Sequence, residues 1–314
     1  MARAHRRPWA LPALLAATVL GLLTGCATPQ AAYDPSRAHH RPDGFVNAHP
    51  SPHGNSEGGF WRWQWERWQT ELPPDRPERV ARQTPDLQQL KNPGHDLTVT
   101  WLGHSSALWQ VSGLNILVDP HFGPRASPVS FAGPRRLTPA PLGIDQLPRI
   151  DLVLISHNHY DHLDEGTVRA LSAQAGGSPL FMVPLGVDAW MAQVGIQRVQ
   201  RMDWWDRQDI AAPAGPVTVH FVPSHHWSSR TPWDRRATLW GGFVVQARVA
   251  GEPASLYHAG DTGYAPDFAE IGQRLQGLRG SKVGHAVGLG PGFGVWRRRL
   301  QADALQCHGR KGVH

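Results

Sequence analysis

Two rhythms of apolar and polar positions run through this chain, and they change places around residue 97. From Leu97 the period is two. LTVTWLG, SALWQVS and NILVDP read as successive strands, the last two joined by a turn at Ser112-Gly113. Residues 120–148 form a long loop punctuated by Pro and Gly. IDLVLIS is a short continuous apolar run, the pattern of a central strand buried on both faces. HLDEGTVRALSAQ then follows a helical period, with Asp164 and Glu165 suited to its first turn. PLFMVPLG, VDAWMAQVG and RVQRMDWW continue as strand, helix and strand. VTVHFVPSHHW and ATLWGGFVVQARV read as strands, and ASLYHAGDTGY as a strand ending in a polar turn. Strands dominate early, helices intervene later, and no internal repeat is visible. The mixture predicts an α/β or α+β protein with layered sheets.

Upstream the pattern is different. Arg3, Arg6 and Arg7 precede the apolar stretch WALPALLAATVLGLL, which is short for a membrane span. It ends in Leu23-Thr24-Gly25-Cys26, which resembles a bacterial lipobox. That resemblance implies a signal peptide over residues 1–25 and lipidation of Cys26, with Ala27 favouring the outer membrane, facing the periplasm. Residues 26–58, rich in Pro, His and Ser, read as a tether, so the folded domain is expected to start near Gly59. In FWRWQWERWQTEL, Trp61, Trp65 and Trp68 share one helical face and Trp63 does not. A core-packing helix is the first reading and a membrane-contacting one the second.

The formal charge of +6 is spread along the chain, apart from Arg6-Arg7 and Arg297-Arg298-Arg299. With no nucleic-acid-binding module in view, an anionic lipid surface is the expected partner rather than nucleic acid. Of two cysteines, a lipidated Cys26 leaves Cys307 alone, so an exported domain must rely on its core or on metal for stability.

The chemistry concentrates in HNHYDH, at the end of the buried IDLVLIS run. His157 and His159 are two residues apart where strand gives way to loop, so in extended backbone both imidazoles leave on one side and can converge on one ion. Asp161 and His162 follow as the chain turns towards a helix and can face a second ion. Four ligand-type residues at this spacing point to metal rather than to a set of satisfied core polar groups.

HNHYDH also fits the His-x-His-x-Asp-His signature of the metallo-β-lactamase superfamily. GLNILVDPHFGPRASPVSFAGPRR, LPRIDLVLISHNHYDHLD, VPLGVDAW, DWWD, VPSHHWSSRT and HAGDTGYAPDFAEIG occur in order, and together resemble the branch of N-acylphosphatidylethanolamine-hydrolysing phospholipase D. The resemblance covers about residues 95–275. It implies an αββα sandwich over residues 59–275 with metals at one edge between the sheets. By position in the matching blocks, one ion is held by His157, His159 and His226, the other by Asp161 and His162, with Asp261 between them. His225 is left as a neighbour of the site or a surface residue. His104, in WLGHSS, orients a ligand, contacts substrate or serves the fold. Zinc suits imidazole and carboxylate donors and a site without redox chemistry, and two ions are expected. The implied reaction is in-line attack of activated water on the phosphodiester of an N-acyl phospholipid, with Asp161 and His162 in the catalytic centre.

The pattern breaks after about Gln273. An IPIG-like segment and a later His-Trp-Gly-Thr strand, whose histidine completes the second metal, are not found. Residues 276–314 are Gly- and Arg-rich without sustained apolar periodicity, as a tail translated out of frame would be. The expectation is therefore a C-terminally incomplete sandwich, poorly soluble, with a weakly occupied second site and uncertain activity. Two other readings stay open: opening of a lactone, thioester or β-lactam on the same fold, and a catalytically inactive envelope lipoprotein that binds metal or lipid.

Overall fold

A computed structural model describes residues 33–50, 65, 69, 77, 83–94 and 97–275. In chain order the elements are β1 (His40–Arg41), β2 (Gly44–Phe45), α1 (Leu87–Lys91), β3 (Thr98–Gly103), β4 (Ser106–Val111), β5 (Leu114–Val118), a 3-10 turn (Ile144–Gln146) and β6 (Leu152–Leu154). Then come α2 (Glu165–Ser172), β7 (Leu180–Pro184), α3 (Val187–Gln193), β8 (Val199–Met202), β9 (Arg207–Ile210), β10 (Val217–Val222), β11 (Gly242–Val249), β12 (Glu252–His258) and α4 (Asp267–Arg274).

Two sheets face each other. The larger has the order β3-β4-β5-β6-β7-β8, antiparallel through β5 and parallel from β5 to β8; the smaller is an antiparallel sheet ordered β12-β11-β10-β9. The period of two decides what each face does. Ala107, Trp109 and Val111 of β4 meet Val217, Val219 and Phe221 of β10 and Phe243 and Val245 of β11 in the core between the sheets. Leu108 of β4, Leu117 of β5 and Val153 of β6 point the other way, onto Val168 and Leu171 of α2 and Val187 and Met191 of α3. On the far side of the small sheet, Ile271 of α4 packs on Val222 and Val244. The layers are thus helix, sheet, sheet, helix, the αββα sandwich expected.

Several elements differ from the sequence reading, each for a local reason. The α2 helix begins at Glu165 rather than His162, because Asp164 is its N-cap and accepts from Thr167 N. Residues 237–241 do not extend β11: Leu239 N bonds Leu185 O and Gly241 N bonds Ser156 O, tying this stretch to the larger sheet. There the backbones come so close that a Cβ on Gly241 would lie 2.5 Å from Val222 O. The sequence reading also missed β9, a short polar edge strand.

The larger correction concerns the N-terminal segment. Residues 33–50 fall inside the stretch read as a tether, yet His39, His40 and Phe45 are buried and pack on the domain. His39 Nε2 lies 2.6 Å from Asp203 Oδ1 and His40 Nε2 3.1 Å from Asp203 Oδ2, while the His39 ring stacks on Trp204. Shared polar partners buried together hold this segment as a strap across the domain, so the folded part begins well before Gly59. Trp65 is 58% exposed, against the core-packing reading at that position. Trp61, Trp63, Trp68, the signal peptide with Cys26, and residues 276–314 lie outside the described residues. Among the described residues no helix is long and apolar enough to cross a membrane.

Candidate metal centre

The site grows out of the carboxyl ends of the parallel strands, where a doubly covered sheet leaves a crevice. β5 ends at Val118 and Asp119 N still bonds Leu154 O; β6 ends at Leu154 and Ile155 N bonds Met182 O. Beyond these last rungs the chain leaves the sheet as Ser156-His157-Asn158-His159. It folds back at once, with His162 N and Leu163 N both bonding His159 O. This turn brings the His157 and His162 rings together, centroids 4.1 Å apart and tilted by 43°.

His226 arrives from the loop after β10 and Asp261 from the loop after β12. The approach of Asp261 depends on Gly260, whose φ is +61° and where a Cβ would sit 2.8 Å from Gly241 O and from Ser156 Cβ. His157 Nε2 lies 2.9 Å and His226 Nε2 3.2 Å from His159 Nδ1, and His226 Nε2 is 3.8 Å from Asp261 Oδ2. One donor atom from each of His157, His159, His226 and Asp261 falls within 4.8 Å of the others. A second cluster at the same spacing joins His104, Asp161 and His162. Asp261 links the two, its Oδ1 lying 3.3 Å from His162 Nε2.

All six ligand-type residues singled out in the sequence therefore meet. His104 stands on the turn between β3 and β4 at φ +50°, a backbone state histidine tolerates better than most residues, and its Nε2 lies 2.9 Å from Asp161 Oδ2. It sits inside the second cluster. His225 does not join either cluster: its N–H donates to Thr262 Oγ1 and its carbonyl accepts from Gly263 N.

Sequence reasoning missed the group beneath the site. Asp119 is fully buried at φ +41°, and its carboxylate accepts from Ser156 N at 2.7 Å and Ser156 Oγ at 2.6 Å. It also receives His162 Nδ1 at 2.8 Å and His258 Nε2 at 2.6 Å. Burial alone would raise its pKa, but the imidazoles of His258 and His162 push it below the ordinary carboxylate range. By taking the Nδ1 proton of His162, Asp119 leaves Nε2 free to face Asp161 and Asp261. The only sequence signal was an acidic residue closing an apolar strand before Pro120.

Two further groups fasten the loops. Arg230 lies with its guanidinium 4.0 Å from the Tyr160 ring centroid and 4.6 Å from that of Trp190, and Nη1 donates to Asn158 O and Leu163 O, each at 2.9 Å. Asn47, on the strap, accepts from His226 N and Trp240 Nε1, each at 3.1 Å.

The electrostatics sort the imidazoles into two kinds. Burial lowers His157 well below its ordinary value, His159 to about 4 and His226 to about 3. Burial opposes charge on His162 as well, but Asp119 and Asp261 outweigh it and raise its pKa well above the ordinary value. For Asp161, burial is outweighed by His104 and His162, and its pKa falls; Asp261 is lowered by His162 and His226 in the same way. The site therefore holds three neutral imidazoles and ionised carboxylates ready for a divalent metal, while His162 carries a proton that the metal must displace.

Comparison with known proteins agrees with this geometry. The beta-lactamase superfamily domain matches residues 114–280. An uncharacterized protein of Mycobacterium tuberculosis is 40% identical over 178 residues, 56% of this chain and 45% of its own length. The N-acyl-phosphatidylethanolamine-hydrolyzing phospholipase D 1 of Caenorhabditis elegans is 34% identical over 185 residues, 57% of this chain and 51% of its own. The mitochondrial N-acyl-phosphatidylethanolamine-hydrolyzing phospholipase D of Saccharomyces cerevisiae is 36% identical over 177 residues, 56% and 36%. The chain thus spans about half the length, or less, of these curated relatives. With the domain match covering more than half of the sequence, from β5 through α4, the chain belongs to the metallo-β-lactamase superfamily.

Proposed function

We propose that this chain is a metal-dependent hydrolase that uses two zinc ions to cleave the phosphodiester of N-acyl phosphatidylethanolamine-type phospholipids. The observation that carries the metal reading is the convergence of four imidazoles and two carboxylates with buried nitrogens left over. His157 Nε2 and His226 Nε2 both face His159 Nδ1, which can pair with only one of them, and His162 Nε2 is buried without a hydrogen-bond partner. Imidazole nitrogens turned on one another beside two carboxylates in this way call for a cation. The donors fit zinc: His157, His159 and His226 would hold one ion, Asp161 and His162 the other, with Asp261 shared. His104, beside Asp161, is available to either the second ion or the substrate.

Bound zinc would supply Lewis acidity, acidifying water and offsetting charge on phosphoryl oxygens. The chain's own groups do the rest. Water adds to phosphorus, the P–O bond to the N-acylethanolamine oxygen breaks, and the products are phosphatidic acid and an N-acylethanolamine. Asp161 and Asp261, both kept ionised, are placed to accept the proton that the water gives up and to pass it to the leaving oxygen. The exposed face of His104 meets incoming substrate, while Arg230 and Asn47 keep the ligand loops in place.

The substrate class rests on the phospholipase D relatives. A lipid anchor on Cys26, in the outer membrane facing the periplasm, would place the site beside such a substrate. Incubating the zinc-loaded chain with vesicles containing N-acyl phosphatidylethanolamine should release phosphatidic acid and N-acylethanolamine in equal amounts. Turnover confined to a panel of lactones, thioesters and β-lactams would overturn the substrate, and no turnover of any of them would overturn the enzyme. Fatty-acid labelling that persists in a Cys26→Ser variant would overturn the anchor.

A further inference from the structure

Away from the metal centre, the strap and α4 meet at a second set of ligand-type side chains. We infer that His49, Asp267 and Glu270 form an additional divalent-cation site that pins the strap to α4. One donor atom from each lies within 4.8 Å of the other two. His49 Nε2 and Asp267 Oδ1 are 3.9 Å apart. That is too long for a direct hydrogen bond. It matches two ligands on one ion, which at roughly 2.1 Å bond lengths lie about 3.0–4.2 Å apart.

An independent observation points the same way. Asp267 is only 3% exposed, yet its Oδ1 has no hydrogen-bond partner. A buried carboxylate oxygen without a donor is unfavourable unless a cation meets it. Burial raises the pKa of Asp267, and the His49 and His225 imidazoles only partly oppose that shift. Glu270 is held from the side by Arg274, Nη2 to Oε1 at 2.7 Å, one helical turn away on α4. His49 is about one-third exposed at its side chain, so an ion can enter from solvent. One imidazole and two carboxylates suit a first-row divalent ion, zinc among them.

The site has a structural consequence. Asn47, two residues before His49, receives the His226 N–H and the Trp240 indole. An ion fixing His49 to α4 therefore also fixes the segment that orients the His226 loop. It acts on the metal centre through position, not through contact.

Equilibrium dialysis of the full chain against zinc, with a chelator to suppress weak surface binding, tests this. The parent for the test replaces His157, His159 and His226 with Ala, which empties the histidine cluster of the main centre. It should retain zinc beyond what Asp161, His162 and Asp261 still hold, and either Glu270→Gln or Asp267→Asn added to it should lower the count by one equivalent. An unchanged zinc count in the folded Glu270→Gln variant would overturn the inference. Asp267 is buried, so Glu270→Gln, at a partly exposed position, is the variant that spares the fold. Hydrolysis plays no part in the readout, so an inactive chain leaves the result decisive.

Discussion

Replacing Asp119 by Asn is the sharpest perturbation the metal centre allows. The carboxylate receives four donors: Ser156 N on Oδ1, and Ser156 Oγ, His162 Nδ1 and His258 Nε2 on Oδ2. An amide keeps the shape but offers one acceptor oxygen and an NH2 that can only donate. If its oxygen takes the crowded Oδ2 position, the NH2 confronts Ser156 N–H and leaves it unpaired, a loss of about 1–3 kcal/mol. The other three bonds lose their charge assistance, at roughly 0.5–1 kcal/mol each. The sum, about 2.5–6 kcal/mol, brackets the loss of about 3–5 kcal/mol seen when a buried ionic network loses one partner. Zinc affinity should also fall, by about 10–100-fold, because His162 keeps an acceptor but loses the negative charge that makes its imidazole a strong ligand. A lowered His162 pKa offsets part of this by easing proton competition. Urea unfolding of the metal-free chain and zinc titration against a competing chelator measure the two effects. A midpoint and zinc affinity indistinguishable from the parent chain would refute the reasoning. Ser156→Ala, which removes one donor to Asp119 and the partner of His157 Nδ1 but leaves the charge, should cost less, about 2 kcal/mol.

Other outcomes follow from the same geometry. Zinc binding near pH 7 should displace about one proton, that of His162, because burial already keeps His157, His159 and His226 neutral; calorimetry in buffers of different ionisation enthalpy would show release of three or none if this is wrong. The metal-free fold should lose stability as pH falls from 6.5, where unfolded histidines begin to bind protons that folded His159 and His226 refuse until about 4 and about 3. His162 works the other way, stabilising below 6.5 and losing that contribution as pH rises through its elevated pKa. A net rise in stability on acidification over pH 6.5 to 4, measured by urea unfolding, would contradict the larger weight given to the three lowered groups. Arg230→Lys keeps the charge but not the fork between Asn158 O and Leu163 O, so zinc affinity should drop about tenfold; an unchanged titration would count against the loop-fastening role. Asn47→Ala removes the acceptor of His226 N while Trp240 Nε1 keeps Ser224 O, so a loss of about 1 kcal/mol in unfolding free energy is expected.

What the sequence disclosed and what it hid divide along contact range. His157, His159, Asp161 and His162 lie within six residues, and their spacing where a buried strand ends was enough to place them on one crevice. His226 and Asp261 came from aligned blocks, and the choice of His226 over its neighbour agrees with the side chain that faces the centre. Asp119 stayed hidden because its meaning depends on His258, 139 residues away, and on His162, 43 away. In sequence it is only an acid at the end of a strand. The strap was misread for a similar reason. His39 and His40 look like part of a polar linker until Asp203, 164 and 163 residues on, supplies a buried partner. The strands β4, β5 and β10 were legible from local runs of strand-forming residues, the αββα sandwich came from the family resemblance, and β9, polar on an edge, left too little apolar signal.

The most direct test of the central claim is a crystal structure of the zinc-loaded chain with anomalous scattering recorded on both sides of the zinc edge. Strong peaks should fall among His157, His159, His226 and Asp261, and between Asp261, Asp161 and His162. Difference maps without an anomalous peak at either cluster, in crystals grown with excess zinc, would contradict the reading of these residues as a metal centre.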